Sequence, residues 1–133
     1  MPIIHGKKMY SSPEEFLKNL GDREKEFSQL EKSLKRNCHD FHEYIKQNRT
    51  ERTASKHSQV IDFFIDFLNW DTDATKYEHI TRGIANSKFR TWYLRKVGDR
   101  TETELKSSIK MFFKFLHDEK NITCHEVLKS FSK

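Results

Sequence analysis

The chain has few turn-forming residues and few cysteines, and both shortages narrow the choice of fold. Its 133 residues contain only 4 Gly and 2 Pro, whereas sandwiches, barrels and Gly-rich nucleotide loops need many more. The 2 cysteines, Cys38 and Cys124, lie far apart and form no CxxC pair. This usage favours reduced thiols in a cytoplasmic protein. No run of about 18 apolar residues occurs, so we expect no transmembrane helix and no membrane partner.

Phenylalanine and charge are what the chain has in quantity. Hydrophobic residues make up only 35% of it and charged residues 34%, a balance that can indicate disorder. The 11 Phe, 4 Tyr and 2 Trp argue against disorder, because each buried aromatic ring removes a large apolar area from water. We therefore expect one folded, all-helical domain.

The first part of the chain predicts an arm and two helices. Residues 1–11 have no periodic pattern. A short helix is expected to begin at Ser12-Pro13 and to end at Gly21, which gives a proposed boundary between an N-terminal segment, 1–21, and a single helical domain, 22–133. A long helix follows from Asp22, with one apolar seam formed by Phe27, Leu30, Leu34, Phe41 and Ile45.

Further helices are predicted by capping and apolar patterns. A helix is predicted over 54–69; its second half is apolar on almost all sides, so it is expected to be the central helix of the core. A helix over 84–97 ends before Gly98, a residue suited to a helix C-terminus. Thr101 is the predicted N-cap of a fifth helix. A last short helix is expected after Thr123.

Positive charge is concentrated in one part of the chain. The formal net charge is +5, yet residues 82–114 alone hold nine basic and three acidic residues, whereas residues 53–73 are acidic. Lys106, Lys110 and Lys114 recur at intervals of four and form one helical stripe, with Thr103 and Ser107 on or beside it. Lysines flanked by small hydroxyl residues suit a phosphate backbone. A solvated face of an amphipathic helix is the alternative interpretation.

Other reactive residues predict no site. Cys38, His39, His42 and Glu43 lie close in sequence, but Cys38 and His39 point about 100° apart on a helix, so we expect no metal. No P-loop, GxSxG or HExxH motif occurs. We expect no cofactor, no small-molecule substrate and no catalytic residue. Trp92 and Tyr93 beside basic residues are typical either of a core or of a base-stacking surface.

The order and spacing of several segments resemble the SAM-like core-binding domain of tyrosine recombinases, the family of phage integrases. The similarity covers 41–122 and lies in hydrophobic patterns: Phe41-His42-Glu43-Tyr44-Ile45, Thr53-Ala54-Ser55-Lys56-His57, Phe63-Phe64-Ile65-Asp66-Phe67-Leu68, His79-Ile80-Thr81, Met111-Phe112-Phe113-Lys114-Phe115-Leu116 and Asp118-Glu119-Lys120-Asn121-Ile122. The resemblance implies a small orthogonal bundle of four to five helices, here with an extra N-terminal helix.

The resemblance also implies a DNA-facing side without catalysis. In the family, the chemistry belongs to a separate domain with His-x-x-Arg and a Tyr nucleophile. One such spacing occurs, His79 to Arg82, but no Tyr follows Tyr93, so recombinase activity is not carried over. The DNA contacts implied at the starts of two helices fall on Thr53, Ser55, Lys56, Arg100, Thr101, Thr103, Lys106 and Lys110, and the stripe adds Lys114.

The sequence is consistent with two functions. One is a non-catalytic DNA-binding protein accessory to transcription or recombination. The other is a protein-interaction adaptor without direct DNA contact, similar to the stand-alone swarming-regulator domains of bacilli. It is suggested by a predicted partner surface of Val60, Asp62, Phe64 and Asp66, which would bind a response regulator, a recombinase or a second copy of the chain.

Overall fold

The chain is mostly helical over the residues that the computed structural model describes, 13–124 and 127. In chain order the elements are α1 (Pro13–Lys46), α2 (Glu51–Asp71), a 3₁₀ turn (Tyr77–His79), a π-helical turn (Ile84–Lys88), α3 (Phe89–Lys96) and α4 (Glu102–Lys120). The four α-helices pack as a small bundle, and no strand occurs in the described range. The predicted all-α class is therefore confirmed.

Helix α1 is one continuous helix of 34 residues, so the predicted helix end at Gly21 is wrong. Gly21 does not take a positive φ, as a C-terminal glycine would, and a methyl group added there would meet no atom within 4 Å. A glycine inside a helix costs only about 0.5–1 kcal/mol, which continued hydrogen bonding along α1 outweighs. The proposed boundary between residues 21 and 22 thus falls inside a helix.

The predicted apolar seam of α1 is buried along its whole length, and Cys38 fills the gap between Leu34 and Phe41. This seam packs against α2, and the two helices run antiparallel. Near one end, the Arg23 guanidinium donates to the carbonyl of Thr72 at 2.7 Å. Near the other end, His42 Nδ1 lies 2.9 Å from Ser58 Oγ.

Helix α2 lies at the centre of the bundle, as its apolar pattern predicts, and packs against α1, α3 and α4. It begins earlier than expected because the Thr50 hydroxyl caps it by accepting the Thr53 backbone N–H at 3.1 Å. The Phe64 ring is fully buried and meets the Phe89 ring of α3 edge-on at 5.0 Å. It meets Phe113 of α4 in the same way at 5.9 Å. Aromatic packing around α2 therefore holds α3 and α4 against it.

The end of α3 and the start of α4 follow the predicted capping. At the end of α3, the backbone N–H groups of Val97 and Gly98 both donate to the Tyr93 carbonyl, and Gly98 has a φ of 153°. Thr101 caps α4 by accepting the Glu104 backbone N–H at 3.1 Å. The predicted arm over 1–11 and the last short helix, except Val127, lie outside the described residues.

Candidate nucleic-acid interface

Helices α2 and α4 begin side by side, which brings the two predicted groups of DNA-contacting residues together. The buried His57 Nδ1 of α2 lies 2.7 Å from the buried Ser108 Oγ of α4. One turn closer to the start of α4, Lys56 Nζ lies 4.0 Å from the Glu104 carboxylate. Residues that are about 50 positions apart in sequence, such as Lys56 and Glu104, thus share one surface.

The lysine stripe lies on the side of α4 that faces away from the core. Thr103, Lys110 and Lys114 are exposed, and Lys106 and Ser107 are half-buried at its edge. The opposite side of α4 is buried: Leu105, Ser108, Ile109, Phe112, Phe113, Phe115 and Leu116. The lysine stripe therefore lies on the side of α4 opposite its buried residues, with Thr103 and Ser107 on or beside it.

Two carboxylates in the first turn of α4 pair with four of the surrounding cations. Glu102 lies 2.7 Å from Lys106 Nζ and 3.9 Å from an Arg90 guanidinium nitrogen. The hydrogen bond from Lys106, followed by its charge and that of Arg90, lowers the pKa of Glu102. Because acidic groups also interact favourably with the N-terminus of a helix, Glu102 stabilises α4 while it neutralises part of the positive surface.

Glu104 pairs with cations on the side of α4 that faces α2. Its carboxylate lies 4.0 Å from both Lys56 and Arg100. Arg100 is held further by Tyr93, because its Nε donates to the Tyr93 hydroxyl at 3.0 Å and its guanidinium lies 5.7 Å from the ring centroid. Arg100 is therefore fixed in position beside the surface rather than extended from it.

Lys110 and Lys114 differ from these cations because neither makes a salt bridge to any described residue. They lie one and two turns after Lys106 on the exposed face, beyond the reach of the two carboxylates in the first turn. The unneutralised charge of this face is therefore concentrated on these two lysines. We call the surface formed by Lys56, Thr103, Lys106, Lys110 and Lys114 the α4 face.

The other residues predicted to contact DNA lie at the start of α2 and at the N-cap of α4. Ser55 is exposed, while the Thr53 hydroxyl accepts a hydrogen bond from the Thr50 hydroxyl at 3.0 Å. The Thr101 hydroxyl is occupied as an acceptor by the N-cap bond of α4. The Thr53 and Thr101 hydroxyls are thus engaged at the helix starts, whereas the Ser55 side chain, next to Lys56 in sequence, is exposed.

Arg90 lies beside the α4 face, which the sequence did not predict. It belongs to the basic block, but its own helix, α3, does not show which side it occupies. Its contact with Glu102 places it beside Lys106. No pattern within α3 signals this proximity, because it depends on how α3 and α4 pack.

The predicted partner surface on α2 is wrong for its two apolar members. Val60 and Phe64 are both fully buried in the core, because α2 is covered on several sides. Asp62 and Asp66 are exposed, and partial desolvation beside α1 raises the pKa of each carboxyl. Asp62 also accepts a hydrogen bond from the Cys38 thiol at 3.7 Å. Only a pair of carboxylates remains at this position, not an apolar contact surface.

The cysteine and histidine cluster of α1 is occupied by internal contacts. Both ring nitrogens of His42 are engaged, Nδ1 by Ser58 and Nε2 by Glu51 at 3.2 Å. Burial and the nearby Asp62 raise the pKa of Cys38 to about 12, so its thiol stays protonated. Among the described residues, no three potential metal ligands converge.

Comparisons with known proteins add no identification. No protein-family model, curated protein or solved structure matches the chain. Within the described part of the chain, every helix is too short or too polar to cross a bilayer. The interpretation of the α4 face therefore depends on its own geometry and charge.

Proposed function

We propose that the protein is a non-catalytic DNA-binding accessory protein that contacts the phosphate backbone of duplex DNA through the α4 face. The observation that carries the proposal is the contact of Lys56 of α2 with Glu104 in the first turn of α4, the helix that carries the exposed lysine stripe. Phosphate contacts from lysines and small hydroxyls position a protein on a duplex without reading its sequence. A role in transcription or recombination is what the recombinase resemblance adds.

The division of charge on this surface supports the assignment. Glu102 and Glu104 hold the cations at the start of α4 in place, and Lys110 and Lys114 extend from the same face without a salt-bridge partner in the described chain. Unpaired lysines bind phosphate without first breaking an internal contact. We therefore expect them to contribute more to binding than Arg90 or Arg100.

A salt titration tests the proposal quantitatively. Four lysine contacts to phosphates, from Lys56, Lys106, Lys110 and Lys114, predict that log K falls with log[salt] with a slope of about −3.6. The measurement is fluorescence anisotropy of a labelled duplex of random sequence from about 50 mM to about 200 mM salt. Absence of binding at the lowest salt would overturn the proposal.

A matched pair of variants distinguishes the effect of the α4 face on DNA binding from the effect of net charge. Lys110→Glu/Lys114→Glu is expected to weaken binding and to reduce the steepness of the salt dependence by about 2, one unit for each lost contact. Lys25→Glu/Lys32→Glu is the control, because both lysines are exposed on α1 at least two turns before Phe41, which contacts α4. Each variant lowers the formal net charge of +5 by four units. Equal loss in both variants would show that the α4 face is not the binding surface.

A further inference from the structure

A second basic region surrounds an open cavity between the end of α2 and one side of α3. The cavity has a volume of about 320 Å³ and is lined by Phe67 and Asp71 of α2 and by Trp92, Arg95 and Lys96 of α3. Neither Arg90, the residue of α3 that pairs with α4, nor any residue of α4 lines it. We call this the α2–α3 cavity.

Aromatic rings form the apolar part of the cavity. The Trp92 indole is stacked on the buried Phe89 ring, with an interplanar angle of 22° and a centroid distance of 6.1 Å. Phe67 packs against the same indole at 5.6 Å. These contacts hold Trp92 in one orientation while it remains partly exposed to the cavity. A rigid, partly exposed indole offers a surface on which a planar ring can stack.

Charged groups form most of the remaining wall, together with Ser87 and Thr91. Lys88, Arg95 and Lys96 are exposed and line the cavity, and none makes a salt bridge within the range that the structure describes. Asp71 lines it as well and is not paired with any of the three cations. Three cations suit an anionic group, and a carboxylate accepts hydrogen bonds from an amino or imino group.

We propose that the α2–α3 cavity binds a nucleoside monophosphate, with the base stacked on Trp92 and the phosphate held by Arg95, Lys96 and Lys88. Asp71 accepts a hydrogen bond from the base. The cavity volume is at the lower end of the range for small-molecule sites, so it holds one nucleotide rather than a peptide or a lipid. This inference is independent of DNA binding by the α4 face.

Trp92 itself provides the assay. The chain has 2 Trp, and Trp70, the other one, is 51% exposed and does not line the cavity. In the variant Trp70→Phe, the fluorescence of the remaining indole reports on the cavity alone. Titration with adenosine 5′-monophosphate is expected to give saturable quenching. Absence of saturation into the millimolar range overturns the proposal.

Variants of the wall, made in the Trp70→Phe background, test the phosphate contacts. Arg95→Ala/Lys96→Ala is expected to weaken the affinity for the nucleotide at least about tenfold, since charge-assisted hydrogen bonds are the stronger ones and about 1.4 kcal/mol corresponds to that factor. Lys76→Ala/Arg82→Ala is the matched control, because it removes an exposed lysine and an exposed arginine that do not line the cavity. An equal loss in both variants contradicts the assignment.

Three other ligands define what is recognised. Adenosine and inorganic phosphate each lack one half of the proposed ligand and are expected to bind more weakly than the nucleotide. Equal affinity for inorganic phosphate would overturn the stacking of a base. A single-stranded oligonucleotide with a 5′-phosphate carries the same two groups at its end. Tighter binding of the free nucleotide supports the proposal, and tighter binding of the strand replaces it by recognition of a nucleic-acid end.

Discussion

The buried contact between His57 and Ser108 joins the starts of α2 and α4, and its removal is expected to destabilise the protein measurably. The two side chains are 9% and 1% exposed, and their polar atoms lie 2.7 Å apart. In Ser108→Ala the imidazole nitrogen loses its partner, at a cost of about 1–3 kcal/mol. The better helix propensity of Ala returns a few tenths of a kcal/mol. We expect a net loss of roughly 1–2 kcal/mol in the free energy of unfolding.

The double variant distinguishes a lost hydrogen bond from a packing defect. In His57→Leu/Ser108→Ala both polar groups are replaced by apolar ones, a change that is often nearly neutral. We therefore expect the double variant to be more stable than Ser108→Ala alone. A coupling energy in the range of about 0.5–3 kcal/mol is typical of side chains in direct contact.

The stability of the wild type is expected to fall in mild acid for the same reason. Burial, and then repulsion from Lys56, Arg49 and Arg100, lowers the pKa of His57 below its ordinary value of 6.5. The unfolded chain therefore takes up a proton at higher pH than the folded chain does. The resulting loss of stability begins as the pH falls through about 6.5 and is complete once it is below the lowered folded pKa.

Urea unfolding followed by far-ultraviolet circular dichroism measures all of these effects. It is carried out at neutral pH and again at about pH 5.5, where an ordinary imidazole is protonated. The difference in stability between the two conditions is expected to shrink in the double variant, which lacks the imidazole. The reasoning fails if the free energy of unfolding of Ser108→Ala lies within about 0.5 kcal/mol of the wild-type value, as it would for an ordinary surface substitution.

Three further predictions concern the core, α1 and the cysteines. Phe64→Ala is expected to lower the free energy of unfolding by about 3–5 kcal/mol. Asp66→Ala, two residues further on and on the exposed side of α2, is expected to change it by less than about 0.5 kcal/mol. Gly21→Ala is expected to raise stability by about 0.5–1 kcal/mol, because Gly21 lies inside α1 with open space around it. Cys38 and Cys124 are buried with pKa values raised to about 12, so iodoacetamide is expected to modify them slowly until urea unfolds the protein.

Each of these predictions has a result that contradicts it. A Phe64→Ala protein as stable as Asp66→Ala would place the ring at the surface, where the partner hypothesis put it. Destabilisation by Gly21→Ala would indicate that α1 is interrupted at this residue. Rapid alkylation of either cysteine in the folded protein would show that its thiol is accessible.

Much of the local structure follows from the sequence because its causes are local. The seam of α1, the capping of α4 by Thr101 and the end of α3 at Gly98 depend on residues within one or two turns of one another. Gly21 is the exception, since a glycine that ends one helix and a glycine inside a longer one look alike in sequence. Gly21 is helical because the residues on both sides of it continue the hydrogen bonding of α1.

The candidate surfaces required the tertiary structure. The spacing of Lys106, Lys110 and Lys114 by four residues places them on one side of a helix, whatever that helix packs against. Whether Lys56 and Arg90 join them depends on contacts between helices that are distant in the chain. The same holds for α2, whose apolar excess was consistent with either a partner surface or a core. The sequence by itself determined the helices and the faces of each helix, while only packing decided which faces were buried and which charges meet.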